Sequence, residues 1–366
     1  MKTKFYLKPS VLSLAVAGAV AVAGGPAYAV DAKISGQVNR ALMNVDDGRN
    51  SETYNVDNDN SSTRFRFTGS GEMMPGITAG LNWEVEFQSN ASDSVSQTSK
   101  SSDAAFGERI MEVYFQGGFG KISLGQGDGA MNGGVEVDLS GTNLVSYAGT
   151  RDVGGSLQWR TSAGGLSGNG VTIGSRLSQQ DFESRYDRLR YDTPSLGGFV
   201  LSADSGQSGG NDVVEYGFRY NGDFGGGTKL SAAYGFSNNK SASNLSNKET
   251  TGGSLSLLLS GGLNFTFGMT NVENDPGTGA ATTESDFTYF KVGYKAGKNA
   301  FSVDYAKGED EGGAGNEAEH TGIQWVYTPI SWANIFAGYK VVSFDDATAT
   351  SFDDLNVLFV GSRITF

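Results

Sequence analysis

Residues 355–366 read LNVLFVGSRITF and end on an aromatic. Leu358, Val360, Ser362, Ile364 and Phe366 fall on one parity, with Arg363 and Thr365 on the other. Side chains alternate across a strand, so one face here is mostly apolar and the other carries charge. A strand that closes a transmembrane β-barrel needs this division, with lipid on one side and a polar lumen on the other.

The same division recurs upstream. Ile77, Ala79, Leu81, Trp83, Val85 and Phe87 alternate with Asn82, Glu84, Glu86 and Gln88. Leu263, Phe265, Phe267 and Met269 alternate with Asn264, Thr266 and Thr270, and Ile323, Trp325 and Tyr327 with Gln324. Each run has about the ten residues a tilted strand needs to cross a bilayer core. Strands are expected near 32–43, 62–74, 77–89, 107–118, 120–126, 184–193, 196–205, 211–223, 227–238, 249–260, 262–273, 284–296, 299–308, 318–328, 331–344 and 354–366. That makes an all-β, antiparallel barrel of sixteen strands, or eighteen if 151–162 and 170–180 also cross. A barrel of this size keeps an aqueous lumen rather than a packed core. Short connectors such as Met74-Pro75-Gly76 and Ala296-Gly297-Lys298 alternate with long acidic, amide-rich ones at Asp46 to Ser61, Asn271 to Ser285 and Gly308 to Glu319. Short turns belong on the periplasmic side and long loops outside.

Composition agrees. The 366 residues include 54 Gly, 6 Pro, 22 Phe, 15 Tyr and no Cys. Collagen would need a strict glycine period, and disorder would lack the aromatics. Lys2, Lys4 and Lys8, the apolar run Val11 to Ala23 and Ala27-Tyr28-Ala29 have the layout of a signal peptide cleaved after Ala29. Residues 30–366 then form one barrel domain. Removing three lysines takes the net charge from −13 to −16, which argues against a nucleic-acid partner. The acidic pairs Asp345-Asp346 and Asp353-Asp354 with Glu309-Asp310-Glu311 call for screening by salt, or by divalent cations shared with lipopolysaccharide.

Along its mature length the chain resembles the trimeric general porins of Gram-negative outer membranes. The resemblance is most specific at Ser62 to Gly69, at Arg109 to Gly120 followed by Lys121 to Gly125, at Arg190-Tyr191-Asp192-Thr193-Pro194 with Gly197-Gly198-Phe199, and at Phe366. It implies sixteen strands, a homotrimer in outer-membrane lipid, a terminal aromatic read by the barrel assembly machinery, and a long third loop folded inward. In the family an acidic loop faces arginines on the wall and narrows a channel for ions and small hydrophilic solutes. The residues admit this carry-over. Arg64 and Arg66 lie opposite Phe65 and Phe67, and an arginine facing lipid would cost roughly 2–4 kcal/mol near the midplane. Arg109 matches the arginine opening the fourth strand of the family. Arg188 and Arg190 share a face with Asp192. Asp128, Glu136 and Asp138 are the candidates for the acidic side, although Gly133-Gly134-Val135-Glu136 stands where many porins carry a proline–glutamate–phenylalanine turn. Facing rows of opposite charge would orient water and favour small polar solutes; the bland reading is that the arginines only pair with local acids. Arg40 falls on the outer face, at a subunit interface or near the headgroups.

Other motifs count for little. Gly125-Gln126-Gly127-Asp128-Gly129 precedes no helix pattern. Asp57-Asn58-Asp59-Asn60 lacks a full calcium loop, which leaves only weak external calcium bridging. The lone His320 beside a long loop reads as solvated, too little for a hydrolase site. No cofactor or resident metal is called for. A substrate-specific channel of the same fold is the second reading and an outer-membrane enzyme a more distant one.

Overall fold

The computed structural model describes residues 30–366 apart from 242, 244, 245, 278 and 349; the expected signal peptide, 1–29, lies outside the described residues. Seventeen strands form one antiparallel sheet: β1 (Asp31–Asp46), β2 (Ser51–Asp57), β3 (Arg64–Met74), β4 (Ile77–Gln88), β5 (Ala105–Gly117), β6 (Gly120–Asp128), β7 (Arg185–Asp192), β8 (Phe199–Ser208), β9 (Asn211–Asp223), β10 (Lys229–Ser241), β11 (Asn247–Leu258), β12 (Leu263–Asp275), β13 (Thr283–Ala296), β14 (Asn299–Glu309), β15 (Glu317–Ile330), β16 (Ala333–Asp345) and β17 (Leu355–Thr365).

These strands occupy sixteen positions around the wall. β2 pairs with one half of β1, from Arg40↔Asp57 to Asp46↔Ser51, and β3 with the other, from Asp31↔Ser70 to Gln37↔Arg64. Together they fill the second position. β17 closes the barrel on β1, from Gln37↔Thr365 to Asp46↔Asn356, which removes the free edge that hydrocarbon would not tolerate. Phe366 exchanges backbone hydrogen bonds with Gly36, 2.9 Å each way. The terminal residue is thereby held against the first strand at Gly36.

Three local expectations change. Asp46 to Ser61 is mostly not a loop: 47–50 is a tight turn, and β2 follows with Tyr54 and Val56 buried inward. Its amides disguised an ordinary alternation. Gly209 and Gly210, with φ of 58° and 87°, make a two-residue hairpin at the long-connection end, so the short–long alternation fails there. The stretches 151–162 and 170–180 do not cross. Arg160–Thr161 pairs with Phe352–Asp353 and bridges back to Leu166, and Ile173–Arg176 is one helical turn.

The alternation itself holds. Leu358, Val360, Ile364 and Phe366 are exposed outward, while Leu355, Val357 and Phe359 between them are buried. These inward apolar groups differ from the expected aqueous lumen. They share a hydrophobic core with Phe336, Val342 and Phe344 of β16 and with Val145, Leu157, Trp159, Ile173 and Leu177 of the 129–184 connection. Trp159 stacks on Phe344 at 4.8 Å, and its Nε1 donates to the Val342 carbonyl at 3.0 Å.

Candidate functional site

Cross-strand register builds an arginine cluster on the inner wall. Arg64 lies opposite Glu86 and Arg66 opposite Glu84, with Phe65 and Trp83 in edge-to-face contact outside. Arg109 reaches the cluster by a different device. By parity it belongs with the exposed Met111, Val113 and Phe115. However, the β4–β5 register jumps from Glu84↔Ile110 to Val85↔Glu108. This bulge leaves Arg109 unpaired and turns its side chain inward. Its Nε donates to Glu84 Oε1 at 2.8 Å, and its other nitrogen meets Glu86. Arg64 Nη1 lies 3.4 Å from Glu84 Oε1, and Arg66 also pairs with Glu84. Three guanidinium groups thus meet two carboxylates, so local pairing neutralises the cluster only in part.

Other expected site residues serve elsewhere. Arg188 is buried, pairing with Glu112 at 2.5 Å and donating to the Gly125 carbonyl at 2.7 Å. Arg190 pairs with Asp192 at 2.8 Å and donates to the Gly129 carbonyl at 2.8 Å. Both tie β7 to the root of the 129–184 connection, because Glu112 on β5, Asp192 on β7 itself and the carbonyls of Gly125, Asp128 and Gly129 lie at short range. Asp128 pairs with Arg185 at 2.7 Å. Asp138 is fully engaged by Lys291 Nζ at 2.8 Å and faces no open space. Asp57 to Asn60 fill the gap between β2 and β3 rather than an external loop; Asn58 Nδ2 donates to the Leu144 carbonyl at 2.8 Å.

A cavity of about 750 Å³ lies between the wall and the 129–184 connection. Arg64, Arg109 and Glu136 line it. So do Asp59, noted in the sequence only as a calcium candidate, and Asp93, Tyr147, Arg151, Asp152, Asp181, Glu183, Arg185 and Lys248, which the sequence did not single out. The lining carries six carboxylates against five basic side chains. Burial pushes Asp152 and Asp181 up to about 6 and Glu136 well above the usual carboxylate range. Repulsion from Asp93 adds to the first, and from Asp181 and Asp152 to Glu136. These groups line the cavity, where like charges raise one another's pKa values.

Hydrogen bonds join the 129–184 connection to strand residues along its length. Ser254 Oγ accepts from Val137 N at 3.0 Å, and Ser256 Oγ from Leu139 N at 2.9 Å. Lys291 Nζ donates to the Ser146 carbonyl at 2.6 Å, and Lys340 Nζ to the Val153 carbonyl at 2.6 Å.

A family model described as Gram-negative porin matches residues 13–347. The chain belongs to this family. No curated protein sequence matches it. Among solved structures, it is similar to an anion-selective porin from Comamonas acidovorans, with a TM-score of 0.68 at 16% identity over 92% of this chain and 100% of that one. It is also similar to OmpF of Salmonella typhi in complex with daunomycin (0.59, 14%, 93% and 98%) and to the trimer form of in-vitro folded OmpT of Vibrio cholerae (0.58, 16%, 92%). At these identities the structures speak for the fold, and the family match makes the protein an outer-membrane channel for passive diffusion.

In this porin His320 is not solvated: it is 1% exposed, and its Nε2 sits 2.9 Å from Asp304 Oδ1. Asp304 also accepts from Ser146 Oγ at 2.6 Å, Tyr289 OH at 2.9 Å and Gln324 Nε2 at 2.7 Å. Serine and histidine both bond the aspartate, so the histidine is not placed to take the serine proton. The cluster is a fastening point for the connection.

Proposed function

We propose that ions and small hydrophilic solutes cross through the 750 Å³ cavity, and that residues 129–184 fold into the barrel to form its narrowest part. One observation carries this reading: the wall brings arginines to the cavity and the connection brings carboxylates, with Arg151 beside Asp152 as the connection's own cation and Asp59 and Asp93 adding acids from outside it. Arg64 is close enough to Arg109 and Arg185 to be repelled by both. Glu136, Asp152 and Asp181 come from the connection and form a repelling group of their own. Such rows set a transverse field that aligns water and disfavours bulky apolar solutes, and their near balance gives weak ion selectivity. Planar-bilayer recording tests this. Discrete conductance steps are expected, with the reversal potential in a salt gradient moving toward cations on Arg64→Ala. The absence of conductance would refute the channel, and an unmoved reversal potential would refute the role of Arg64.

Arg40 supports a homotrimer, the form of the in-vitro folded Vibrio cholerae OmpT. It faces outward, paired with Ser362 four positions from the terminal aromatic, and bonds Ser89 O at 2.7 Å and Asn55 Oδ1 at 2.8 Å. A lipid-facing arginine would cost roughly 2–4 kcal/mol at the midplane, so a second copy covers this polar patch. Conductance steps in threes are expected. The signal peptide is cleaved after Ala29, and Phe366 is read by the barrel assembly machinery; porin lacking Phe366 should fail to accumulate in the outer membrane. Lipopolysaccharide, bridged by divalent cations, meets the acidic outer connections, and magnesium should raise the trimer's melting temperature.

A further inference from the structure

Five consecutive strands each place a polar residue of inward parity near the long-connection end. These are Asn211 on β9, Asn239 on β10, Lys248 on β11, Asn274 on β12 and Thr283 on β13. Four stand in direct register, Asn239↔Lys248, Lys248↔Asn274 and Asn274↔Thr283, so they form one row across the wall. Asn211 joins diagonally, its Nδ2 donating to Asn239 Oδ1 at 2.8 Å. Three strand spacings of about 4.8 Å make the row about 14 Å long, enough for two sugar rings.

A cavity of about 390 Å³ lies on this row, with Pro276 and Ala281 supplying apolar surface. Lys248 lines both this cavity and the main one. The row's single charge is neutralised: Glu183 pairs with Lys248 Nζ at 3.2 Å and accepts from Asn239 Nδ2 at 2.9 Å. An amide carries a donor and an acceptor in one side chain, as a pair of vicinal hydroxyls does. Asp275 adds one carboxylate to the cavity lining, its Oδ1 accepting from Gly277 N at 2.8 Å, while along the row itself a neutral polyol meets repeated amide and hydroxyl partners.

We propose that this row is an external binding subsite for neutral polyhydroxylated solutes, mono- or disaccharides, delivering them past Lys248 into the main cavity. The proposal rests on the channel reading and adds a solute class to it.

The test is single-channel recording with sucrose added on the side of the long connections, for the full porin and for Asn239→Leu/Asn274→Leu. Sucrose should lower the wild-type current along a saturating curve. Each amide removed should weaken half-saturation about threefold to tenfold, the worth of one net hydrogen bond, while ion conductance persists. A loss that only follows bulk conductivity, or an unchanged half-saturation in the variant, would overturn the subsite and leave the channel standing. A wild type without ion current would overturn the channel itself. Calorimetric titration of detergent-solubilised porin with sucrose then judges the subsite independently: saturable heat that the double variant weakens supports it, and no heat overturns it.

Discussion

Replacing Lys291 with methionine keeps the stem's volume and removes the ammonium. In the native porin that ammonium holds Asp138 Oδ2 at 2.8 Å, Thr142 Oγ1 at 3.2 Å and the Ser146 carbonyl at 2.6 Å. Its side chain is fully buried and that of Asp138 is 2% exposed. Breaking a buried pair while leaving one charge behind costs about 3–5 kcal/mol. The loss falls on the 129–184 connection, whose other fastenings are separate, so it should lower the free energy of local opening. Arg151 and Arg176 lie within the connection and offer trypsin sites. Where opening and closing outpace cleavage, the cleavage rate follows the opened population. A reduction of about 3–5 kcal/mol therefore corresponds to roughly two to four powers of ten in rate. Native-state trypsin digestion of folded porin in detergent, followed by gel, measures it. The double variant K291M/D138N removes the stranded charge and should recover at least about tenfold of the rate, a coupling of contacting residues. A K291M cleavage rate within about tenfold of wild type would refute the claim that this pair holds the connection.

Three further outcomes follow from the geometry. Asp152 and Asp181 sit at about 6 and Glu136 above its usual range, so each loses its charge as pH falls through its own raised value. Between pH 8 and pH 5 the lining becomes more positive, and the reversal potential in a potassium chloride gradient should move toward anions; a constant potential would contradict this. Trp159→Ala empties the core beside Phe344 and should cost about 3–5 kcal/mol, seen as faster trypsin cleavage with the barrel's heat-resistant gel mobility retained. At the closing seam, a Cβ on Gly36 would lie 2.6 Å from the Phe366 ring. Gly36→Val should therefore reduce the heat-resistant folded fraction, whereas Gly107→Val, with open space around its Cβ, should not.

Much of the architecture was legible because a strand's two faces are written residue by residue. Alternation placed Phe65 and Trp83 outward and Arg64 and Arg66 inward without knowledge of any partner. It failed where the backbone broke the period. Arg109 reads as outward until the bulge against Val85 turns it in, and only the resemblance singled it out. Arg188, Arg190 and Asp138 have the right chemistry for a pore, yet nearer partners claim them. Asp152, Asp181 and Arg185 carried no local signal, since nothing in their spacing says they border one cavity.

By itself, the sequence determined a closed antiparallel barrel with its face polarity and its last strand, because period-2 alternation is a local property and hydrocarbon demands closure. Tertiary structure alone decided which charges line the cavity and how the long connection is held. Those choices rest on contacts such as Lys291 with Asp138, separated by 153 residues. Such pairs have no sequence spacing to reveal them until the wall brings them together.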